Sequence, residues 1–310
     1  MGESVSRPQA SRFEGCIVGL AIGDALGMPA EGLTHHEIRA RWGRIRDFLP
    51  ASDLAAGQYT DEAQMAVALA ESIVQTAGFD PAAAAGALCQ WWISGRARRP
   101  GQGTAEACER LMRGAAWEQA GSDSAGCGAA PRAAIVGLLD CRRADKLLDD
   151  AVASAIITHR DSRAVAGAVA VAAAVAFLVS AAAPLDVAGF LEHAAAACAP
   201  RSAEMAAAIR SIHHLLDLAP RKAMDELGYT GFALEAVPTS IYCFAAVPDD
   251  FTESVLLAAN AGGDTDSIAA MTGALGGAYL GIGGIPPHWV EGVEASQHLR
   301  QLARGLHGLA

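Results

Sequence analysis

Two acidic residues near the carboxyl end of the sequence have the types and spacing of metal ligands. Asp264 and Asp266 lie two residues apart in NAGGDTDSIAAM, and the hydroxyl residues Thr265 and Ser267 alternate with them. Carboxylate and hydroxyl oxygens are hard ligands that suit Mg²⁺ or Mn²⁺ better than zinc, which prefers Cys and His. The preceding glycines allow a tight turn, and the apolar run that follows predicts a helix whose positive end favours carboxylates.

Two other interpretations of this D-x-D pair have to be weighed. Either aspartate could simply cap the helix that follows. A phosphatase with an aspartyl nucleophile also uses D-x-D, but there the pair ends a hydrophobic strand. The preceding VLLAANAGG is helical in pattern and then broken by glycine, which disfavours the phosphatase. Helix capping stays open at this point.

Acidic residues at distant positions favour the metal site over capping. The acids Glu31, Asp61 and Glu62 lie at predicted helix boundaries, and the hydroxyl residue Thr60 precedes Asp61. If these segments converge with the D-x-D pair, five carboxylates share one cleft, and their repulsion opposes folding unless cations neutralise it. Two divalent cations supply four positive charges against these five negative ones, so a two-metal centre is the economical solution.

The elements that position these residues are predicted to be helices. Apolar residues recur at helical spacing, and the abundant alanine favours helix. The predicted helices cover residues 12–27, 60–74, 81–93, 104–113, 147–158, 164–183, 186–197, 203–217 and 251–260. Prolines are expected to separate helices at 50, 100, 131, 220, 238 and 286–287. Strands at βαβ spacing are missing. We therefore expect an all-α fold, with a single compact multi-helix domain over residues 12–310 after a disordered segment 1–11.

Glycines in two apolar segments predict close helix packing. In the first predicted helix they recur every four residues, and a similar series lies near the carboxyl end: 15, 19, 23 and 27, then 273, 277 and 281. Residues four apart lie on one helix face. A face without side chains lets a neighbouring backbone approach closely.

Charge and composition exclude some classes of function. The net charge of −11 argues against a general nucleic-acid binder, although a phosphate-bearing small ligand needs only local donors. Residues 164–183 run without a charge but are mostly alanine, so we expect a buried helix and no membrane span. The amino terminus lacks an apolar signal core, and its match to a myristoylation pattern is short. The seven cysteines are scattered without a CxxC pair, which predicts reduced thiols and a cytoplasmic location.

Five segments, in order, resemble the ADP-ribosylglycohydrolase family. They are GCIVGLAIGDALGMPAEG, YTDEAQM, GCGAAPRAA, THRDSRAVAGA and NAGGDTDSIAAMTGALGGAYLG, and the resemblance spans residues 12–284. It implies an all-α domain with a dinuclear Mg²⁺ or Mn²⁺ centre. It also implies hydrolysis of the glycosidic bond between ADP-ribose and a modified protein side chain or small acceptor. We expect a monomer that binds ADP-ribosyl substrates and neither nucleic acid nor membranes.

The resemblance also assigns residues to roles. The metal ligands would be Thr60, Asp61, Glu62, Asp264, Asp266 and Ser267. Glu31 matches the acid near the bridging water, and the catalytic set is Glu31, Asp61 and Asp266. The loop that wraps the diphosphate and ribose would comprise Ser124, Ala125, Gly126, Cys127 and Gly128. His159 matches the substrate-side histidine; by itself it would more often be a packed or capping residue. Asp24 is expected to be a structural cap.

The chain departs from the family pattern at several positions. Glu62 and Ala63 stand where the family usually has Asp and Thr, so coordination at Glu62 is expected to be looser or indirect. Cys127 replaces an asparagine in the loop, and Pro131 replaces a frequent methionine. Residues 99–105, RPGQGTA, contain no acid, although some arginine-directed members have one there.

Two functions besides ADP-ribosyl hydrolysis are compatible with the sequence. One is a non-catalytic ADP-ribose-binding or structural member of the family. The other is a hydrolase of another ribosyl or nucleotide-like small molecule. A measurement of metal binding would distinguish the non-catalytic member from an enzyme. A panel of substrates would distinguish the hydrolase of another ribosyl compound from an ADP-ribosyl hydrolase.

Overall fold

Helices make up most of the computed structural model, which describes residues 8–310. In chain order they are α1 (Ala10–Gly27), α2 (His35–Trp42), α3 (Asp61–Thr76), α4 (Pro81–Ile93), α5 (Gln102–Met112), α6 (Trp117–Ala120), α7 (Ala130–Leu139), α8 (Ala144–Ile156), α9 (Ser162–Leu178), α10 (Val187–Cys198), α11 (Ala203–Leu215), α12 (Pro220–Leu227), α13 (Ala233–Ala246), α14 (Phe251–Ala259), α15 (Thr265–Leu280), α16 (Pro287–Gly292) and α17 (Ser296–Leu309). Over the described range, β pairing is limited to two isolated bridges, Ser122 with His159 and Gly126 with Phe232. The predicted all-α fold class is confirmed.

The ends of the helices differ from the predicted ones in a few places. Of the segment 1–11 that we predict to be disordered, residues 1–7 lie outside the described residues, and α1 already begins at Ala10. Helix α9 ends at Leu178, short of the predicted residue 183, and its interior is buried as predicted.

Two prolines lie inside helices that they were expected to separate. Pro131 is the second residue of α7, where a helix does not need the missing N–H group. Pro238 lies in the interior of α13, a helix that is buried along most of its length. The apolar burial of α13 outweighs the one backbone hydrogen bond that Pro238 cannot donate.

The glycine-bearing faces of α1 and α15 pack against each other. A Cβ atom added to Gly15 would lie 2.3 Å from the carbonyl oxygen of Gly277, and one added to Gly19 would lie 2.3 Å from that of Gly273. Real side chains do not tolerate such distances. Each step of four along α1 meets a step of four backwards along α15, so the two helices are antiparallel. The close approach predicted from the glycine spacing is confirmed.

The buried helices account for the hydropathy of the sequence. One segment, Ala10–Ala30, is long and apolar enough to cross a membrane, and 94% of its window is buried inside the protein, as in a core helix. Helix α9 falls below that length criterion. All seven cysteines are unpaired, in keeping with the predicted free thiols.

Candidate active site

The candidate site forms where α1 ends and α15 begins. The hydroxyl of Thr265 donates to the carbonyl oxygen of Gly27 at 2.8 Å. The loop after α1 pairs with the loop before α15, because the N–H of Gly32 donates to Gly263 and the N–H of Gly263 donates to Leu33, each at 2.8 Å. The register of the two helices therefore places the Glu31 turn beside the D-x-D segment.

Asp24 connects α1 to the start of α3. Its Oδ1 accepts hydrogen bonds from the N–H and the hydroxyl of Thr60, at 2.8 and 2.9 Å. Its Oδ2 accepts one from the N–H of Ala63 at 2.9 Å. Thr60 makes no side-chain cap of its own. Asp24 thus caps α3 from a distant helix, and this cap orients Asp61 and Glu62 toward α15.

The acids of α3 and α15 are buried next to each other. Asp61, Glu62 and Asp266 are 5%, 6% and 3% exposed. The hydroxyl of Ser267 donates to Oε1 of Glu62 at 2.8 Å, across 205 residues of sequence. The other oxygen of Glu62, Oε2, is buried and has no hydrogen-bond partner. An unpaired buried carboxylate oxygen is costly, so this atom needs a further ligand.

Burial and mutual repulsion raise the pKa values of these acids. Burial, followed by the charge of Asp24, raises the pKa of Asp61 well above its usual range. Burial raises the pKa of Glu62 as well, with contributions from Asp61 and Asp264. The pKa of Asp266 rises for the same reasons, and Asp264 is again a neighbour. The ionised site therefore carries more negative charge than the protein compensates.

The donors in this cluster fit hard divalent cations. Carboxylates and hydroxyls from both helix starts face one another, and an orphaned oxygen of Glu62 lies among them. Across residues 8–310, no group of three or more His, Cys, Asp and Glu side chains is placed so that it could hold a metal ion by itself. A bound cation would therefore also use the hydroxyls and water. Carboxylates that repel one another and already have raised pKa values are the groups that a cation would stabilise.

The glycine-rich loop lies directly beside the acid cluster. The thiol of Cys127 donates to Oδ2 of Asp264 at 3.0 Å. The N–H of Cys127 donates to Gly231 at 2.9 Å, and the N–H of Gly126 donates to the hydroxyl of Ser124 at 3.1 Å. Two of the five backbone amides of the loop are therefore already used. A bound diphosphate would depend on the remaining N–H groups of this loop.

His159 is a buried, neutral side chain behind the same loop. Burial, with a contribution from Arg132, lowers the pKa of His159 to about 3. Its Nδ1 lies 2.8 Å from the hydroxyl of Thr158. A Cβ atom added to Gly128 would lie 3.3 Å from Cε1 of His159, so the ring is in close contact with the loop.

Arg132 is a buried residue of the site that the sequence did not single out. Its guanidinium is 1% exposed and donates to the carbonyl of Gly128 at 2.8 Å and to the hydroxyl of Thr158 at 2.6 Å. Burial lowers its pKa to about 10, opposed by the nearby acid Glu62. Arg132 therefore remains a cation that fixes the loop from behind. A single charged residue in an otherwise apolar helix is a signal that could have identified it.

Glu31 stands at the rim of the site and is paired with an arginine. Its side chain is 36% exposed, and its carboxylate lies 3.1 Å from Nη1 of Arg99. Arg99 also bonds Asp53 and donates to the carbonyl of Met28 at 2.8 Å. The segment 99–105, noted above for its lack of an acid, thus contributes a cation that holds Glu31.

The structure brings the predicted residues together to different degrees. Those of α3 and α15 form one cluster, which is buried except for the half-buried Asp264. The 124–128 loop and His159 adjoin it, and Glu31 lies at its exposed rim. Sequence reasoning missed Arg99, Arg132 and the segment 229–232, whose backbone binds both the loop and Asp264. No periodic or acidic pattern marks that segment.

The structure is thus an all-α domain in which an acid-lined cluster lies beside a glycine-rich loop. Over residues 6–310 the sequence matches the ADP-ribosylglycohydrolase family, and the chain belongs to that family. Membership indicates a glycohydrolase that acts on ADP-ribosyl substrates.

Known relatives cover nearly the whole chain. An uncharacterized protein of Archaeoglobus fulgidus is 41% identical over 96% of each sequence. ADP-ribosylarginine hydrolase Tri1 of Pseudomonas putida is 29% identical over 95% of this chain and 77% of its own. A solved structure, described as an ADP-ribosylglycohydrolase-related protein complex, superposes with a TM-score of 0.75 at 27% identity. It covers 97% of this chain and 98% of its own.

Proposed function

We propose that this chain hydrolyses the glycosidic bond between ADP-ribose and a modified protein side chain or small acceptor, using two Mg²⁺ or Mn²⁺ ions. The observation that carries the proposal is the burial, in one cluster, of acids from two helix starts that lie 205 residues apart. Helix capping, the alternative for these acids, does not account for it. Neither Thr60 nor Asp264 makes a side-chain cap bond to its own helix.

The cations would be held by oxygens of α3 and α15: those of Thr60, Asp61, Glu62, Asp264, Asp266 and Ser267. When bound, such ions polarise the ribose hydroxyls and a water molecule. The orphaned Oε2 of Glu62 supports direct coordination at this position. This differs from the expectation from the sequence, in which the longer side chain of Glu62 makes metal coordination looser or indirect.

The protein's own residues would perform the proton transfer and the charge stabilisation. Glu31, held by Arg99, takes a proton from the water that attacks the anomeric carbon. The bond between that carbon and the acceptor breaks, and the proton that Glu31 has taken passes to the leaving acceptor, which restores the Glu31 carboxylate. The carboxylates of Asp61 and Asp266 stabilise the positive charge that develops on the ribose. The 124–128 loop and neutral His159 position the substrate without adding charge.

A substrate panel with and without divalent cations tests the function. The panel comprises ADP-ribosyl-arginine, ADP-ribosyl-serine, O-acetyl-ADP-ribose and a nucleoside, with release of ADP-ribose or base as the readout. We expect turnover of at least one ADP-ribosyl compound in Mg²⁺ or Mn²⁺, and its loss in EDTA. Turnover of the nucleoside alone would identify a hydrolase of another ribosyl compound. Ligand binding without any turnover would identify a non-catalytic binder.

Variants assign the activity to the cluster. Asp264→Ala and Asp266→Ala should each lower kcat at least a thousandfold while the helical circular dichroism stays unchanged. Asp149→Ala, which removes an exposed carboxylate of α8, is the matched control. Near-native rates in either site variant would remove that residue from the mechanism. The cytoplasmic location, the monomeric state and the lack of nucleic-acid or membrane partners stay predictions from the sequence.

A further inference from the structure

A second cavity, outside the candidate active site, is lined by arginines. It encloses about 680 Å³ between α2, α12 and α14. We call it the arginine groove and define it by its charged lining residues: Arg39, Arg44, Arg46 and Arg221. The chain has 34 acidic and 23 basic residues, yet no Asp or Glu lines this groove. Such a local excess of positive charge on an acidic protein favours an anionic ligand.

Two of these arginines have no acidic partner. Arg44 pairs with Glu253 at 2.7 Å, and Arg221 pairs with Asp225. Within residues 8–310, the side chains of Arg39 and Arg46 make no hydrogen bond or ion pair, and both are exposed. Their guanidinium groups present free forked donors, a geometry that matches phosphate oxygens.

The floor of the groove is apolar. Ile38, Met224 and Leu256 belong to the lining but are almost fully buried. The half-buried side chains of Trp42 and Leu257 supply the accessible apolar surface. A simple inorganic anion would leave this floor unused. A ligand that matches both parts has a planar ring as well as at least two negative charges. The volume is in the range of small-molecule sites.

A larger cavity of the protein differs from the arginine groove in the charges of its lining. It encloses about 1440 Å³ beside α3 and α4, and its lining includes Asp53, Glu71 and Glu294 as well as Arg96 and Arg98. Three acids and two arginines share that lining, so it has no excess of positive charge that would favour an anion. The arginine groove is selective because its lining has one sign of charge.

We propose that the arginine groove binds a nucleotide, with the base against Trp42 and Leu257 and the phosphates on Arg39 and Arg46. Asn260, which lies four residues before Asp264 in the sequence, lines the groove, but none of the candidate site residues does. The site is therefore separate from the candidate active site, and the proposal stands without the proposed hydrolase activity.

Calorimetric titration of the full chain tests the proposal at low salt in EDTA. ATP, pyrophosphate and adenosine are the probes, and we expect affinity to fall in that order. Arg39→Ala together with Arg46→Ala should weaken ATP binding at least tenfold. The control pair Arg113→Ala and Arg201→Ala, which removes the same charge from exposed positions elsewhere, should change it less than twofold. If ATP binds at the candidate active site instead, its affinity would be unchanged by the Arg39→Ala and Arg46→Ala substitutions.

Tryptophan emission gives an independent measurement. ATP binding should change the emission of the native protein, and Trp42→Phe should abolish that change. Equal ATP affinity in the native protein and the Arg39 and Arg46 double variant would overturn the site. Equal affinities of the native protein for ATP and pyrophosphate would overturn the nucleotide assignment.

Discussion

Glu62 has the least compensated carboxylate of the candidate site. One of its oxygens accepts from Ser267, and the other is buried without a partner. Because burial and neighbouring acids raise its pKa, its ionised form destabilises the folded protein as pH rises. A cation at this position would reverse the sign of that contribution.

Glu62→Gln should therefore act in opposite directions with and without cations. In EDTA at pH 8 we expect the variant to have a higher Tm than the native protein, because a buried repulsive charge is removed. The expected gain in unfolding free energy is about 1–2 kcal/mol. In Mn²⁺ the native protein should be stabilised more than the variant. Glu226→Gln, at an exposed position, is the control for thermal denaturation. Equal stabilisation of both proteins by Mn²⁺ would remove Glu62 from the ligand set.

Cys127 matters through the hydrogen that its thiol donates to Asp264. Cys127→Ser keeps a donor and should retain kcat within about threefold. Cys127→Val has a similar shape but no donor and should lower kcat about tenfold, which corresponds to one lost hydrogen bond to a charged group. Cys198→Val, at another buried cysteine, controls for loss of a thiol from the core. Equal rates in the serine and valine variants would show that the thiol only fills space.

At the scale of elements, the pairing of α1 with α15 determines the geometry of the site. Gly23→Ala would place a Cβ atom 1.9 Å from the carbonyl oxygen of Ala269, so the two helices would have to separate. We expect a loss of about 3 kcal/mol or more in unfolding free energy, measured by urea denaturation. Separation of the helices would also weaken Mn²⁺ binding.

The control for this substitution is a glycine in open space. Gly86 lies within α4, and no atom lies within 4 Å of a Cβ added there. Gly86→Ala should stabilise the protein by about 0.5–1 kcal/mol, because alanine favours helix. If both variants were destabilised equally, close packing of α1 and α15 would not be the cause.

What could be predicted from the sequence also depends on scale. Regular spacing predicted most helices, and the glycine series predicted a close contact, because both are local properties of the chain. The partner and register of that contact were not predictable, since they depend on residues more than two hundred positions apart. Irregular segments such as 229–232 were missed, because their role comes from backbone carbonyls and any side chain could occupy them. Arg99 was passed over for a similar reason, as its importance lies in reaching Glu31.

At the scale of the whole molecule, one buried acid outside the site makes stability depend on pH. Asp140 is fully buried near Asp150, and burial raises its pKa to about 7. In the unfolded chain it ionises near pH 4, whereas the folded protein retains the proton until about pH 7. Folding stability should therefore fall as pH rises through this range.

Asp140→Asn removes this dependence. We expect the variant to match the native protein near pH 4 and to exceed it by about 2 kcal/mol at pH 8, despite losing the contact with Arg143. Chemical denaturation at both pH values measures the difference, and Asp149→Asn serves as the exposed control. A constant difference between the two proteins across this range would contradict the assignment.

The antiparallel contact of α1 and α15 has a consequence for biosynthesis. Gly27 and Thr265 are joined by a hydrogen bond across 238 residues, so α1 leaves the ribosome long before its partner exists. Until then the largest part of its apolar surface lacks its partner, although α3 and α7 also contact α1, and nascent chains with exposed apolar surface are prone to aggregation. Any fragment that stops before α15 would lack half of the acid cluster together with the principal cover of its first helix. Translation must reach α15 before the central helix pair of the core and the complete acid cluster can form.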